Sequence, residues 1–466
     1  MLPQYDNKNL SQHDNKSITT LKEFEKDTIP CRIDIIKQIL KGKKINSIIN
    51  FDDPSTENFI GKCNDDNSRE SYDTTVVLKK QLLDFPNVMS DIGSNLTYIK
   101  SGTTGHTFRG FTILNDNREI HYAVKIVAYP KKEKYGNITD ICRPENAEII
   151  MIKLLSYFII NKQTPHIILP LGTFNTDIKT FTNLIETDIV SKDNEKYKEF
   201  EERYKKGDYY DNVSVLISEW ADHGDLLDFI RKQYTNFSPM HWKVIFFQII
   251  SVLSIIQLKY PSFRHNDLKA NNILIQKISN NTNKHKYIIS NTTYKIPNIG
   301  YIIKLWDFDF SCIPGLVDNE KVSSEWTKCI NVTSEQNRYY DIHYFFNTLI
   351  KKGFFPQFLT DINIPQDAKN FVNRIVPPKY RNGKYIHKRG RILINKEFAI
   401  PNDILKHDIY FDEFRINNSN KIINNTSPNI SKILLSENTN QLDIIDLLTN
   451  TNNKYIYKKK KKILYP

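Results

Sequence analysis

Residues 263–274 read Phe-Arg-His-Asn-Asp-Leu-Lys-Ala-Asn-Asn-Ile-Leu, and no other stretch constrains the chain so tightly. His265, Asp267, Lys269 and Asn272 stand in one short polar segment with apolar residues at its ends. Phosphoryl transfer to a hydroxyl needs such a cluster. A carboxylate must accept or orient the hydroxyl proton, a cation must sit beside the migrating group, and a neutral oxygen must help hold a metal. Asp267, Lys269 and Asn272 can fill those roles within one loop. The bland alternative is a polar loop after a helix that happens to hold an Asp.

The segment resembles the catalytic loop of eukaryotic-type protein kinases, His-Arg-Asp-Leu-x-x-x-Asn, with Asn266 where that family usually has Arg. Other segments resemble the same family in the same order. Ser101-Gly-Thr-Thr-Gly-His lies between two alternating segments, and Gly102 and Gly105 let a hairpin turn bring backbone N–H groups close to phosphates. An ordinary β-turn reads the same way, and Lys100 holds the place of the family's first glycine. His121-Tyr-Ala-Val-Lys-Ile-Val matches the kinase strand Val-Ala-Ile-Lys. The resemblance implies that Lys125 contacts the α- and β-phosphates and that Ala123 caps the adenine. It also implies a helix carboxylate paired with Lys125. Glu148 directly precedes an apolar helical face formed by Ile149, Ile152 and Leu155, and Glu145, one turn earlier, is the alternative.

Glu219-Trp-Ala-Asp-His-Gly-Asp resembles the kinase hinge, which implies adenine contacts from the backbone of Glu219 and Ala221 and a ribose contact from Asp225. Asp225 also suits the cap of the helix that follows. In Trp306-Asp-Phe-Asp, Asp307 matches the metal-binding Asp of the family's Asp-Phe-Gly motif, and Asp309 replaces its glycine. Asp307 with Asn272 suits Mg²⁺, which prefers hard oxygen ligands. Asp309 reads as a further ligand or as a solvent-facing acid. Asp341 reads as the buried helix Asp that holds the catalytic loop or as an ordinary N-terminal acid. No Ala-Pro-Glu sequence marks the end of the activation segment between residues 311 and 335.

The fold implied is α+β: a small antiparallel sheet lobe with one main helix, then a larger, mainly helical lobe. Expected boundaries are 1–92 for a partly ordered extension and 93–218 for the small lobe, with a charged insertion at 175–212. The hinge is 219–225, the large lobe 226–415, and an Asn- and Lys-rich tail 416–466. Charge and cysteine usage narrow the setting. The net charge of +12 is spread out except at residues 458–462, which fits solubility better than nucleic-acid binding. Five cysteines far apart read as free thiols. The apolar run 244–256 is too short to span a bilayer and reads as a buried helix. No signal peptide is apparent, so a cytoplasmic location, host cytoplasm or virion, is expected.

Taken together, the resemblance is closest to serine/threonine kinases of giant DNA viruses. It implies ATP- and Mg²⁺-dependent phosphorylation of protein Ser or Thr, with Asp267, Lys269, Lys125 and Glu148 as catalytic residues and Lys269 favouring Ser/Thr acceptors. Two rivals stay open. One is a small-molecule or lipid kinase, whose Asp-x-Asp ending Asp307 and Asp309 would fit. The other is a nucleotide-binding scaffold without turnover. Asn266 carries its own expectation: without the usual Arg, the loop lacks the cation that reads a phosphate on the activation segment, so activity should not require that phosphate.

Overall fold

The computed structural model describes residues 28–52, 74–93, 96–102, 105–279, 284–322 and 324–416. Cys63, the tail beyond residue 416 and its lysine run lie outside them. Helix α1 (Ile29–Leu40) begins where the Thr28 side chain accepts from Cys31 N at 3.4 Å, with proline in the first turn, and it turns Ile36 and Ile39 inward. Helix α2 (Phe85–Ile92) is capped by Asp84 on Asn87 N at 2.9 Å and stopped by Gly93, whose φ of +95° suits a residue without Cβ.

The small-lobe sheet follows. Strands β1 (Thr97–Ser101), β2 (His106–Ile113) and β3 (Glu119–Pro130) pair in sequence, and helix α3 (Pro144–Ile160) leaves them. Then come β4 (Pro170–Asp177), helix α4 (Glu195–Lys205) and β5 (Tyr209–Glu219). The sheet order is β1-β2-β3-β5-β4, with every pairing antiparallel. Its register sets Ala123 opposite Ser218 and Lys125 opposite Leu216.

The leading segment is built into this lobe. Asn175 N donates to Gln81 O at 2.8 Å and Leu83 N to Asn175 O at 2.9 Å, so residues 81–83 cover the exposed edge of β4. Gly172 lets the leading segment pack closely there, since a Cβ would lie 2.6 Å from Ile45 Cδ1. Lys80 is buried behind the sheet, donating to Tyr129 OH at 2.6 Å, Ser214 Oγ at 2.7 Å and Asn146 Oδ1 at 3.0 Å. Burial brings its pKa down to about 7. The charged insertion also does more than present a solvated face. Tyr197 and Phe200 of α4 turn inward onto His106, with ring centroids 4.4 and 4.7 Å apart, and so brace the β1–β2 hairpin.

In the large lobe, α5 (Leu226–Gln233) leads to α6 (Pro239–Lys259), where Ser238 and His241 form a reciprocal cap. By length and composition α6 could cross a membrane, but most of it is buried by protein. Phe358 meets Trp242 at 5.1 Å, Phe346 meets Phe246 at 4.9 Å and Tyr294 meets Phe247 at 5.3 Å. Strand β6 (Ile273–Lys277) comes next. The Asn-rich insertion then folds back as a hairpin of β7 (Lys284–Ile289) and β8 (Thr292–Pro297), whose Tyr287 and Tyr294 are buried. Strand β9 (Tyr301–Leu305) pairs antiparallel with β6, bringing the end of the 263–274 loop beside Asp307. Helices α7 (Tyr340–Leu349), α8 (Gln366–Ile375) and α9 (Pro401–His407) complete the lobe, α8 and α9 packing on α6. The architecture is a two-lobed kinase fold. Cys31, Cys142, Cys312 and Cys329 form no disulfide among the described residues.

Candidate active site

Lys125 projects from β3 into a buried position where its Nζ meets Glu148 Oε1 at 2.6 Å and Asp307 Oδ1 at 3.1 Å. Burial disfavours its charge, yet the carboxylates of Glu148, Asp307 and Asp309 outweigh that and hold its pKa above the usual lysine value. Burial pushes the Glu148 carboxyl up, with Lys125 opposing and the two aspartates adding to the push. Burial acts on Asp307 in the same sense, but Lys125 overrides it and leaves that carboxyl below its ordinary value. Two carboxylates contact one ammonium with Asp309 acting from further off, so the ammonium stays charged and Glu148 and Asp307 share it. Glu145, the alternative partner, turns away to Arg143 Nε at 2.9 Å.

The catalytic-loop residues converge on Asp267. Lys269 Nζ donates to Asp267 Oδ2 at 2.7 Å. Asn272 Nδ2 donates to the same oxygen at 3.0 Å and to Asp267 O at 2.9 Å, which closes the loop on itself. Asp267 Oδ1 takes a third partner that the sequence did not suggest: Arg391 Nη2, from a turn beyond α8. The Arg391 guanidinium lies over the Tyr344 ring, 4.4 Å from its centroid.

Asp341 decides between its two readings by geometry. It is fully buried at the start of α7 and accepts from His265 N at 2.8 Å and Asn266 N at 2.9 Å. Burial pushes its carboxyl up, while His265 and Arg264 restrain it. Those two bonds support an unusual backbone: Asn266 has φ +63°, and Asp307 across the site has φ +62°. Asn and Asp tolerate this region better than other residues with a Cβ. His265 Nε2 lies 3.0 Å from Trp306 O, tying the loop to the residue before Asp307.

Asn266 has its own partners where the family has a cation. Its Nδ2 donates to Phe310 O at 3.0 Å and Thr333 O at 3.1 Å, joining both ends of the activation segment. Arg264, two residues before the expected position, reaches the same region through Thr333 Oγ1 at 2.9 Å and Glu335 O at 3.1 Å. Asp309 is buried and paired with Lys321, so the solvent-facing reading does not hold: two aspartates near Lys125 would repel unless one found its own cation.

At the nucleotide end, Ala123 is buried on β3 across from Ser218, and Ala221 is buried in the hinge. Glu219 N donates to Leu169 O at 3.0 Å, and its carboxylate is held by Arg32 of α1 through two bonds of 2.7 Å and by Lys304 at 3.3 Å. Asp225 caps α5 through Asp228 N at 3.0 Å and lies 3.9 Å from Lys100. Gly102 N donates to Gly105 O at 2.7 Å. A Cβ on Gly105 would come within 2.6 Å of Ile126 O, so close packing on β3 also demands glycine there. A separate cavity of about 310 Å³ lies behind the hinge, lined by Arg32, Ile36, Tyr122, Glu219, Trp220 and Lys304, away from Asp267 and Asp307.

The structure thus brings together Lys125, Glu148 and Asp307, and separately Asp267, Lys269 and Asn272, the two groups being joined by the β6–β9 pair. Arg391 and Arg32 were not found from sequence. Each reaches its partner from far along the chain, and no local spacing announces it.

A sequence-family model described as poxvirus serine/threonine protein kinase matches residues 135–388. A protein of Acanthamoeba polyphaga mimivirus, named as a putative serine/threonine-protein kinase, is 46% identical over 419 residues, covering 88% of this chain and 85% of that protein. Serine/threonine-protein kinase 2 of fowlpox virus (strain NVSL) is 28% identical over 177 residues, 36% of this chain and 34% of its own length. An uncharacterized protein of the same mimivirus is 28% identical over 229 residues, 48% of this chain and 24% of its own length. With the family match spanning more than half of its residues, the chain belongs to the poxvirus serine/threonine protein kinase family.

Proposed function

We propose that the chain transfers the γ-phosphoryl group of ATP to serine and threonine hydroxyls of proteins, with Mg²⁺ as its metal. The observation that carries this reading is the meeting of Lys125 with both Glu148 (2.6 Å) and Asp307 (3.1 Å), from three distant segments. A stray surface lysine has no reason to be buried between two acids. In this reading Glu148 fixes the ammonium over the α- and β-phosphates. Ala123 roofs the adenine, and the backbone of Glu219 and Ala221 meets its edge. Gly102 and Gly105 turn the hairpin over the phosphates, and Asp225 stands near the ribose.

The donor set suits a hard cation. Asn272 Oδ1 and Asp307 Oδ2 accept from no protein donor among the described residues, while their neighbouring atoms are held by Asp267 and Lys125. Mg²⁺, when bound there, neutralises charge on the phosphate oxygens. Asp267 orients the acceptor hydroxyl and takes its proton late in the transfer. Lys269, bonded to the same carboxylate, sits where it can balance the charge of the migrating phosphoryl group. The engagement of Asp309 by Lys321 speaks against the small-molecule-kinase reading, in which that carboxylate serves the metal. The lobe boundaries we propose are 93–218 and 226–415, joined by residues 219–225.

Purified protein with ATP, Mg²⁺ and a protein mixture should label serine and threonine. Asp267→Asn should lower kcat by about 10²- to 10⁴-fold, the range general-base removal costs. Equal labelling by that variant, or labelling of sugars, choline or aminoglycosides in preference to protein, would defeat the assignment.

A further inference from the structure

Beyond α8 the chain makes a short hairpin beside the catalytic loop. Ile386 pairs with Ile392, Leu393 N donates to Tyr385 O at 2.8 Å, and His387 N donates to Arg391 O at 2.8 Å. Gly390 N closes the turn on His387 O at 2.7 Å, which leaves Lys388 and Arg389 as its two central residues. Gly390 has φ +93°, and a Cβ there would press on Lys351 and Thr348 at 3.2 and 3.3 Å. The hairpin is clamped on both sides. Asn347 Nδ2 of α7 donates to Gly390 O at 2.8 Å, and Asn331 Nδ2 donates to Ile392 O at 2.9 Å. Arg391 pins it to the reaction centre through Asp267 Oδ1.

This rigid turn carries cations without counter-charges. Lys384, Lys388 and Arg389 are exposed, and none of them forms an ion pair among the described residues. The chain has no Asp or Glu between Asp367 and Glu397. Arg391, Lys388 and Arg389 all act on His387, which burial and those charges hold below its ordinary value, so the three share one neighbourhood. Arg391, two residues on from Arg389, lies over the Tyr344 ring and bonds Asp267, so the turn adjoins the catalytic loop.

We propose that the 384–391 hairpin docks acidic residues flanking the acceptor, so that this kinase selects Ser and Thr within acidic segments of its protein substrates. The inference rests on the reading of Asp267 as the group that orients the hydroxyl. A single exposed ion pair contributes little. Several cations carried on one clamped turn beside the acceptor attract an acidic segment and repel a basic one, and discrimination comes from both. The clamped backbone matters, because the turn that carries these side chains need not be ordered when the peptide arrives.

The test uses the full chain, ATP, Mg²⁺ and three peptides carrying one serine flanked by Glu/Asp, by Ala/Gln or by Lys/Arg. The expected order of kcat/KM is acidic, neutral, basic, with the acidic peptide at least about tenfold ahead of the neutral one. Lys388→Glu with Arg389→Glu should bring that ratio close to one, mainly through KM. Lys286→Glu, on the β7–β8 hairpin, should leave the ratio as it is. A wild-type urea midpoint confirms that the double variant is folded. Equal use of all three peptides, or a ratio untouched by the double charge reversal, overturns the docking surface alone. Anisotropy of a labelled acidic peptide without nucleotide separates the two readings: binding lost in the double variant, with no transfer to any serine peptide, defeats the transferase reading and leaves the docking surface standing. Displacement of that peptide by phosphatidylserine vesicles or duplex DNA at equal charge concentration would show a general anion surface and overturn the proposal.

Discussion

Arg32→Ala tests whether the leading helix is part of the kinase fold or an accessory to it. Arg32 is 4% exposed, and it bonds the first hinge residue and the segment before β4: both Glu219 carboxylate oxygens at 2.7 Å, Pro165 O at 2.8 Å and Ile167 O at 2.7 Å. Removing one member of a buried ion pair costs about 3–5 kcal/mol, because the other charge is left behind. Glu219 would keep Lys304 at 3.3 Å and Leu169 N at 2.9 Å, which points to the lower end, about 3 kcal/mol. The acid side gives a magnitude for Arg32, Lys304 and Leu169 N acting together. Burial alone would raise the Glu219 carboxyl, but Arg32 first and then Lys304 bring it from 4.5 down to about 2. Holding a carboxyl that far below its ordinary value corresponds to about 3 kcal/mol of pH-dependent stability. Because the folded value is the lower one, that stability is fully present above about pH 4.5 and is lost as pH falls toward 2. Amide exchange in α1, followed from pH 6 to pH 3, reads both quantities. Wild-type protection should decline across that window. The variant should begin about 3 kcal/mol less protected at pH 6 and show a flatter decline. A loss below 1 kcal/mol at pH 6, or an acid dependence as steep as that of wild type, would refute the reasoning.

Arg391→Ala removes the guanidinium that fixes one oxygen of Asp267 while leaving the Lys269 and Asn272 contacts in place. It should lower kcat by roughly tenfold to a hundredfold through misplacement of that carboxylate, with the ATP KM within about twofold. Arg391→Lys should recover part of the loss, and an unchanged kcat would rule out a positioning role. Phosphatase-treated protein should keep its kcat within about twofold, because Asn266 and Arg264 already hold the activation segment through neutral carbonyls and a hydroxyl. Turnover abolished by that treatment would contradict the expectation.

The residues legible in the sequence are those whose meeting is arranged by one element or by adjacent ones. Asp267, Lys269 and Asn272 lie within a single loop, so their spacing already implies contact, and β6 pairing with β9 carries Asp307 to the same place. Between Glu148 and Glu145 helical phase left both open, because residues three apart share a face, and only the fold gives Lys125 to Glu148. The carboxylate next to Ile149 and Ile152 faces the sheet, while the one a turn earlier reaches Arg143. Asp341 is the intermediate case. Its place at the start of α7 is equally explained by the helix dipole, and only the fold shows it under His265 and Asn266.

Arg32 and Arg391 mark where such reading stops. Arg32 is separated from Glu219 by 187 positions and Arg391 from Asp267 by 124, and each sits among other charged residues that look the same in one dimension. A long guanidinium side chain loosens the link between sequence position and contact still further, because its fork can reach a carboxylate from several backbone placements. These distant arginines fall on the carboxylate behind the hinge and on the carboxylate of the catalytic loop. Aspartate and glutamate at a phosphate-handling site must stay charged and correctly aimed while partly buried, and burial alone would neutralise them. Hence the chemistry that makes an acid recognisable in sequence also creates a demand for cations that can be met from anywhere in the chain. The substitution at 266 follows the same logic in reverse. With an amide in place of the usual cation, neutral carbonyls of the activation segment satisfy its side chain.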